Sequence, residues 1–73
     1  MKIDKQIRDA LKLKYQGEVA SAKANITIYM NNSVGIGEHP DIIGAIDSQL
    51  EILTNAEEKL NAVENHFVPD REV

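Results

Sequence analysis

The sequence predicts an all-α fold, a long antiparallel two-helix hairpin with its helices over about residues 4–30 and 40–66. Three observations predict it. Apolar residues recur every three or four positions along two long segments. One cluster of turn residues, Asn31-Asn32-Ser33-Val34-Gly35-Ile36-Gly37-Glu38-His39-Pro40, separates those segments. The two apolar stripes, read in opposite directions, also pair in a single register.

The first segment carries the stripe Ile3, Ile7, Leu11, Tyr15, Val19, Ala22, Ile26 and Tyr29. Asp4 suits the N-cap, where a short polar side chain accepts from a free backbone N–H. Gly17 stands in mid-helix, at a cost of about 1 kcal/mol relative to alanine. It reads as a bend, a break or a point of close helix approach. The turn cluster follows, read as a two-glycine turn with His39 as N-cap of the second helix. Pro40 then fits the first helical position, where no N–H is needed. Asp41 places a negative charge in the first turn, which the helix dipole favours. The second stripe is Ile42, Ile46, Gln49, Leu53, Ala56, Leu60, Val63 and Phe67, and Pro69 ends the segment.

Folding the first helix back on the second pairs Ile26 with Ile46, Val19 with Leu53, Tyr15 with Ala56, Leu11 with Leu60, Ile7 with Val63 and Ile3 with Phe67. The paired residue numbers total between 72 and 70 throughout, as an antiparallel helical hairpin requires. The same register sets Lys5, Arg8 and Lys12 near Glu57, Glu58 and Glu64.

Seventy-three residues make a single domain, 1–73. A chain this short has a marginal core and usually needs a staple. Cysteine is absent, so disulfides and thiolate metal sites are excluded. Oligomerisation is the staple that remains. Leu13, Ala20, Ala24 and Ile28 on the first helix, with Ile43, Leu50 and Ile52 on the second, lie outside the seam and read as a second stripe. An exposed stripe of this kind marks an interface. It predicts a homo-oligomer, most simply a four-helix bundle or a higher closed assembly. The monomeric alternative is a third helix after a break at Gly17.

The net charge of −4 is unevenly placed. Residues 1–14 carry five cations against two acids, and residues 15–73 carry three cations against ten acids. That balance argues against nucleic acid as a partner, which needs a broad basic face. No apolar run reaches the roughly 18–20 residues of a membrane span. The N-terminus has no apolar signal-peptide region, so the expected setting is cytoplasmic. The sequons Asn25-Ile26-Thr27 and Asn31-Asn32-Ser33 are then coincidental.

No catalytic constellation is visible, and the chain is expected not to be an enzyme. Ser21, Ser33 and Ser48 have no identifiable base. Glu57 and Glu58 are adjacent and point to different helix faces. His39 and His66 stand at opposite ends of the second helix, roughly 40 Å apart at 1.5 Å per residue. Neither a metal nor another cofactor is expected.

The turn is the remaining candidate site. Gly35 and Gly37 lie just before a helix start, where backbone N–H groups can receive an anion. Lys23, Tyr29, Asn31, Asn32, Ser33, Glu38, His39 and Asp41 complete the polar set for a small nucleotide-like ligand or a host protein. Glu38 and Asp41 are negative, Pro40 removes an N–H, and no phosphate-loop lysine is present, so the phosphate motif is weak.

The run Tyr29-Met30-Asn31-Asn32-Ser33-Val34-Gly35-Ile36-Gly37-Glu38-His39-Pro40-Asp41-Ile42, with Ala22-Lys23-Ala24-Asn25 before it and Ala56-Glu57-Glu58-Lys59-Leu60 after it, resembles small helical-hairpin proteins of large tailed bacteriophages. The resemblance spans about residues 12–62 and assigns no residue a role. It implies a phage origin and the host cytoplasm. It also implies a non-enzymatic binding or inhibitory protein acting on a host factor or defence pathway, one route being capture of a nucleotide-type signal at the turn. The alternative is a structural, scaffold or minor virion protein assembling through helix contacts.

Overall fold

The computed structural model describes residues 2–31 and 41–67, with side chains from Asp4 onward. They form two α-helices, α1 (Lys2–Asn31) and α2 (Ile42–His66), packed along their length as an antiparallel hairpin. The molecule is a rod of 54 × 16 × 15 Å.

α1 is a single helix of 30 residues that runs through Gly17 without a break. A break there is therefore absent, and so is a third helix after it. A Cβ built on Gly17 would meet nothing within 4 Å, so no neighbouring element requires the glycine either. One glycine costs too little to end a helix that packs against a partner over its whole length. The helix begins before Asp4, so Asp4 lies in the first turn rather than at the cap. Lys5 to Asp9 at 2.6 Å and Lys14 to Glu18 at 2.7 Å are ion pairs one turn apart on its surface.

α2 begins two residues later than a cap at His39 would set it. Its N-cap is Asp41, whose Oδ1 accepts from the Gly44 backbone N–H at 2.9 Å. The Asp41 carbonyl takes the first helical bond, from Ala45 N at 3.1 Å. The cap is thus Asp41 and not the expected His39, which with Pro40 lies outside the described residues. Aspartate caps better than histidine because its carboxylate is compact, charged and close to its own backbone. At the far end Phe67 N donates to the Val63 carbonyl at 3.2 Å.

The core runs along the predicted seam. Ala22, Ala56 and Val63 are buried. Leu11, Tyr15, Val19, Ile26, Tyr29, Ile42, Ile46, Gln49, Leu53 and Leu60 are half-buried. Alanine at two buried positions lets the helices approach closely, since interaxial distance follows side-chain size. Ile7 and Phe67 depart from the prediction: they are 54% and 63% exposed at the open end of the hairpin. Helix ends have neighbours on one side only, so seam residues there remain partly uncovered.

Two contacts across the seam report the register. Asn25 Nδ2 donates to Gln49 Oε1 at 3.1 Å. Lys59 Nζ lies 5.6 Å from the Tyr15 ring centroid. The residue numbers of each pair total 74, within one helical turn of the expected 70–72. Among the described residues no ion pair joins the helices, so the expected pairing of Lys5, Arg8 and Lys12 with Glu57, Glu58 and Glu64 does not form. The cations have closer partners. Lys5 reaches Asp9 within its own helix, and exposed pairs between helices gain little against side-chain entropy.

Candidate binding surface

The hairpin leaves large apolar side chains uncovered. Leu13 and Ile28 on α1 and Ile43, Leu50 and Ile52 on α2 are 42–80% exposed, as is Met30 at 67%. Ala20 and Ala24 are exposed as well. All seven residues of the predicted second stripe are therefore outside the core.

They do not form one stripe, however. Each α-helical residue turns about 100°. Leu13, Ala20, Ala24 and Ile28 each stand two residues from a seam residue (Tyr15, Ala22 or Ile26). That places them about 200° round α1, on the side turned from α2. Ile43 and Ile52 are nine residues apart, so they flank α2 on opposite sides.

The side of α2 that carries Ile43 is the more extensive. Residues seven apart fall within about 20° of one another, so Ile43, Leu50, Glu57 and Glu64 share one line. Lys59 lies about 200° from Glu57 and occupies the other flank, where it faces Tyr15 and helps hold Glu18 ionised. On α1 that other flank includes Lys14 and Glu18. The flank beside Ile43 and Leu50 therefore carries Lys12, Gln16, Lys23 and Met30 from α1. Near the turn it is apolar (Met30, Ile43, Leu50). Toward the open end, α1 contributes lysines to it and α2 contributes glutamates.

The residues assigned to the turn are partly described. Asn31 is exposed, and its Nδ2 donates to the Thr27 carbonyl at 2.9 Å. Tyr29 is half-buried in the seam. Asp41 is exposed, with its carboxylate engaged at the cap. Lys23 is exposed, but it lies eight residues before Asn31, about 12 Å along the axis. The structure thus brings Asn31 and Asp41 to the turn end and leaves Lys23 away from them. Asn32, Ser33, Gly35, Gly37, Glu38 and His39 lie outside the described residues.

Three features were not singled out from the sequence. One is the Tyr15 cluster, with Lys14 and Lys59 at 5.4 and 5.6 Å from the ring centroid. This is cation–π range. In the same cluster the Lys14 hydrogen bond holds the Glu18 carboxyl below its usual range, and Glu18 in turn raises Lys14. The second is the Asn25–Gln49 bond, for which Gln49 at an otherwise apolar seam position was the available signal. The third is an open-end groove between Asp4, Ile7, Arg8 and Leu11 of α1 and Val63, His66 and Phe67 of α2. His66 and Phe67 stack edge to face there, with ring centroids 6.2 Å apart.

No protein-family model, curated protein or solved structure matches this chain. Among the described residues there is no group of three or more His, Asp or Glu side chains that could hold a metal. No described helix is long and apolar enough to cross a membrane.

Proposed function

We propose that the protein is a non-enzymatic binding module that presents the flank of a helical hairpin to another protein. One observation carries this reading. Large apolar side chains stand 42–80% exposed on a rod whose buried residues, among those described, are Ala22, Ala56 and Val63. Uncovered apolar area on this scale marks an interaction surface. The phage resemblance would make the target a host factor and the effect inhibitory. A scaffold role would use the same surface.

Capture of a nucleotide at the turn has less support. The Asp41 carboxylate already accepts the Gly44 N–H and puts a negative charge at the start of α2. A phosphate would compete with it for those amides. A thermal-shift screen against nucleotides and cyclic dinucleotides tests the choice, because a ligand of the native state raises apparent stability. The reading expects no shift with any of them. A saturable shift abolished by Asn31→Ala would overturn it in favour of the turn site.

A further inference from the structure

We infer that the occupant of the Ile43–Leu50 flank is a second copy of this chain, related by a two-fold axis parallel to the helices, with both turns at the same end. This rests on the protein-binding reading and specifies its partner.

The two helices carry opposite net charge. α1 carries six cations and three acids, net +3. α2 carries one cation and five acids, net −4 with His66 neutral. Two hairpins can form a square bundle with every neighbour antiparallel in two ways. With the turns at opposite ends, α1 lies beside α1 of the partner copy and α2 beside α2, so like charges meet along both new edges. With the turns at the same end, each α1 lies between the two α2 helices, and every edge joins a positive helix to a negative one. Charge complementarity selects the second arrangement, since juxtaposed like charges cost affinity and specificity.

The side chains on the flank agree with that choice. An axis parallel to the helices keeps every residue at its own height. Each α1 residue therefore faces the partner copy's α2 in the register seen within one chain, with numbers totalling about 74. Met30 then meets the partner copy's Ile43, and Lys23 crosses its Leu50. Gln16 meets its Glu57, and Lys12 falls between its Glu57 and Glu64. Apolar residues meet near the turn and opposite charges meet toward the open end. Among the described residues Lys12, Lys23, Glu57 and Glu64 form no ion pair within the hairpin, so all four remain available. The contact is also large enough. The 25 residues of α2 span ~37 Å, and a face ~15 Å wide buries about 1,100 Å² over both copies, above the roughly 1,000 Å² of a specific interface.

Because the chain contains no cysteine, one introduced cysteine takes one spin label. Asn65→Cys, exposed at the open end of α2, is labelled and the distance between copies is measured by pulsed dipolar spectroscopy. Turns at the same end place the labels roughly 25 Å apart, and turns at opposite ends place them roughly 35–40 Å apart. The short distance supports the arrangement and the long one overturns it. No dipolar coupling at high protein concentration overturns the second copy as occupant while leaving a foreign protein partner standing. The same label at Gln6→Cys, on the exposed start of α1, gives the same three outcomes and guards against a site that perturbs folding. Circular dichroism confirms the helicity of both labelled chains.

Discussion

Replacing Gly17 by alanine should stabilise the protein. The helix is continuous through this position, and an added Cβ meets nothing within 4 Å. The only terms that change are intrinsic. Alanine gains about 0.8–1.0 kcal/mol over glycine in a helix interior, largely by restricting the unfolded chain. For a domain of this length 1 kcal/mol moves the midpoint by roughly 4–8 °C. Thermal melts of wild type and Gly17→Ala, followed by circular dichroism at 222 nm, should differ by about that much in favour of the variant. Gly17 is turned away from the flank assigned to the second copy, so the gain should not depend on protein concentration. A fall in midpoint would refute the reasoning. It would mean that α1 bends here or that another element packs against the glycine, where overpacking costs about 1–3 kcal/mol.

Other expectations follow from individual contacts. A double-mutant cycle on Asn25→Ala and Gln49→Ala should return a coupling of about 0.5–1.5 kcal/mol, the net value of one hydrogen bond; a coupling near zero would remove this pair from the account of register. Asp41→Ala should cost about 1 kcal/mol in urea unfolding through loss of the cap. A Cβ on Gly44 would collide with the Asp41 carboxylate, so Gly44→Ala should give little or no gain alone. In the Asp41→Ala background it should recover about 1 kcal/mol of helix propensity, and equal gains in both backgrounds would contradict the cap geometry. Glu18 is held ionised by the Lys14 hydrogen bond first, with smaller help from the Lys14 and Lys59 charges. Its folded-state value is depressed, so the support it lends α1 is complete above 4.5 and is lost as pH falls below that ordinary value. Carboxyl NMR should place its titration below 4.5, and Lys14→Met should move it upward; no movement would deny the pair.

Much of the hairpin was legible because its signals are periodic. The seam stripes, the turn cluster and the antiparallel register follow from spacing, and the observed cross-seam totals differ from the expected ones by less than a helical turn. Gly17 was harder to read, since an isolated glycine carries a small energy and packing along 30 residues decides continuity. The cap was misplaced by two residues because His39 and Asp41 flank the same proline, and spacing alone does not rank them. Uncovered apolar positions were legible as a set, but their division among faces was not. Half a helical turn separates Ile43 from Ile52, and only rotation about the axis reveals it. The expected ion pairs between helices failed for an energetic reason. Register brings charges to the same end of the rod, whereas pairing across solvent must also overcome side-chain entropy and nearer partners. Of the residues proposed for the turn, Lys23 proved distant from Asn31 and Asp41, because eight helical residues set them two turns apart.

The central claim is that the Ile43–Leu50 flank joins two copies of this chain rather than standing as tolerated exposure. Sedimentation velocity on wild type and on the double variant Ile43→Glu/Leu50→Glu tests it most directly. Both side chains already face solvent in the hairpin, so the variant should keep its helical circular dichroism. Wild type should sediment above the 8.1 kDa monomer at high micromolar concentration, and the variant as the monomer. A wild-type chain that stays monomeric, or a variant that associates as wild type does, would contradict the account.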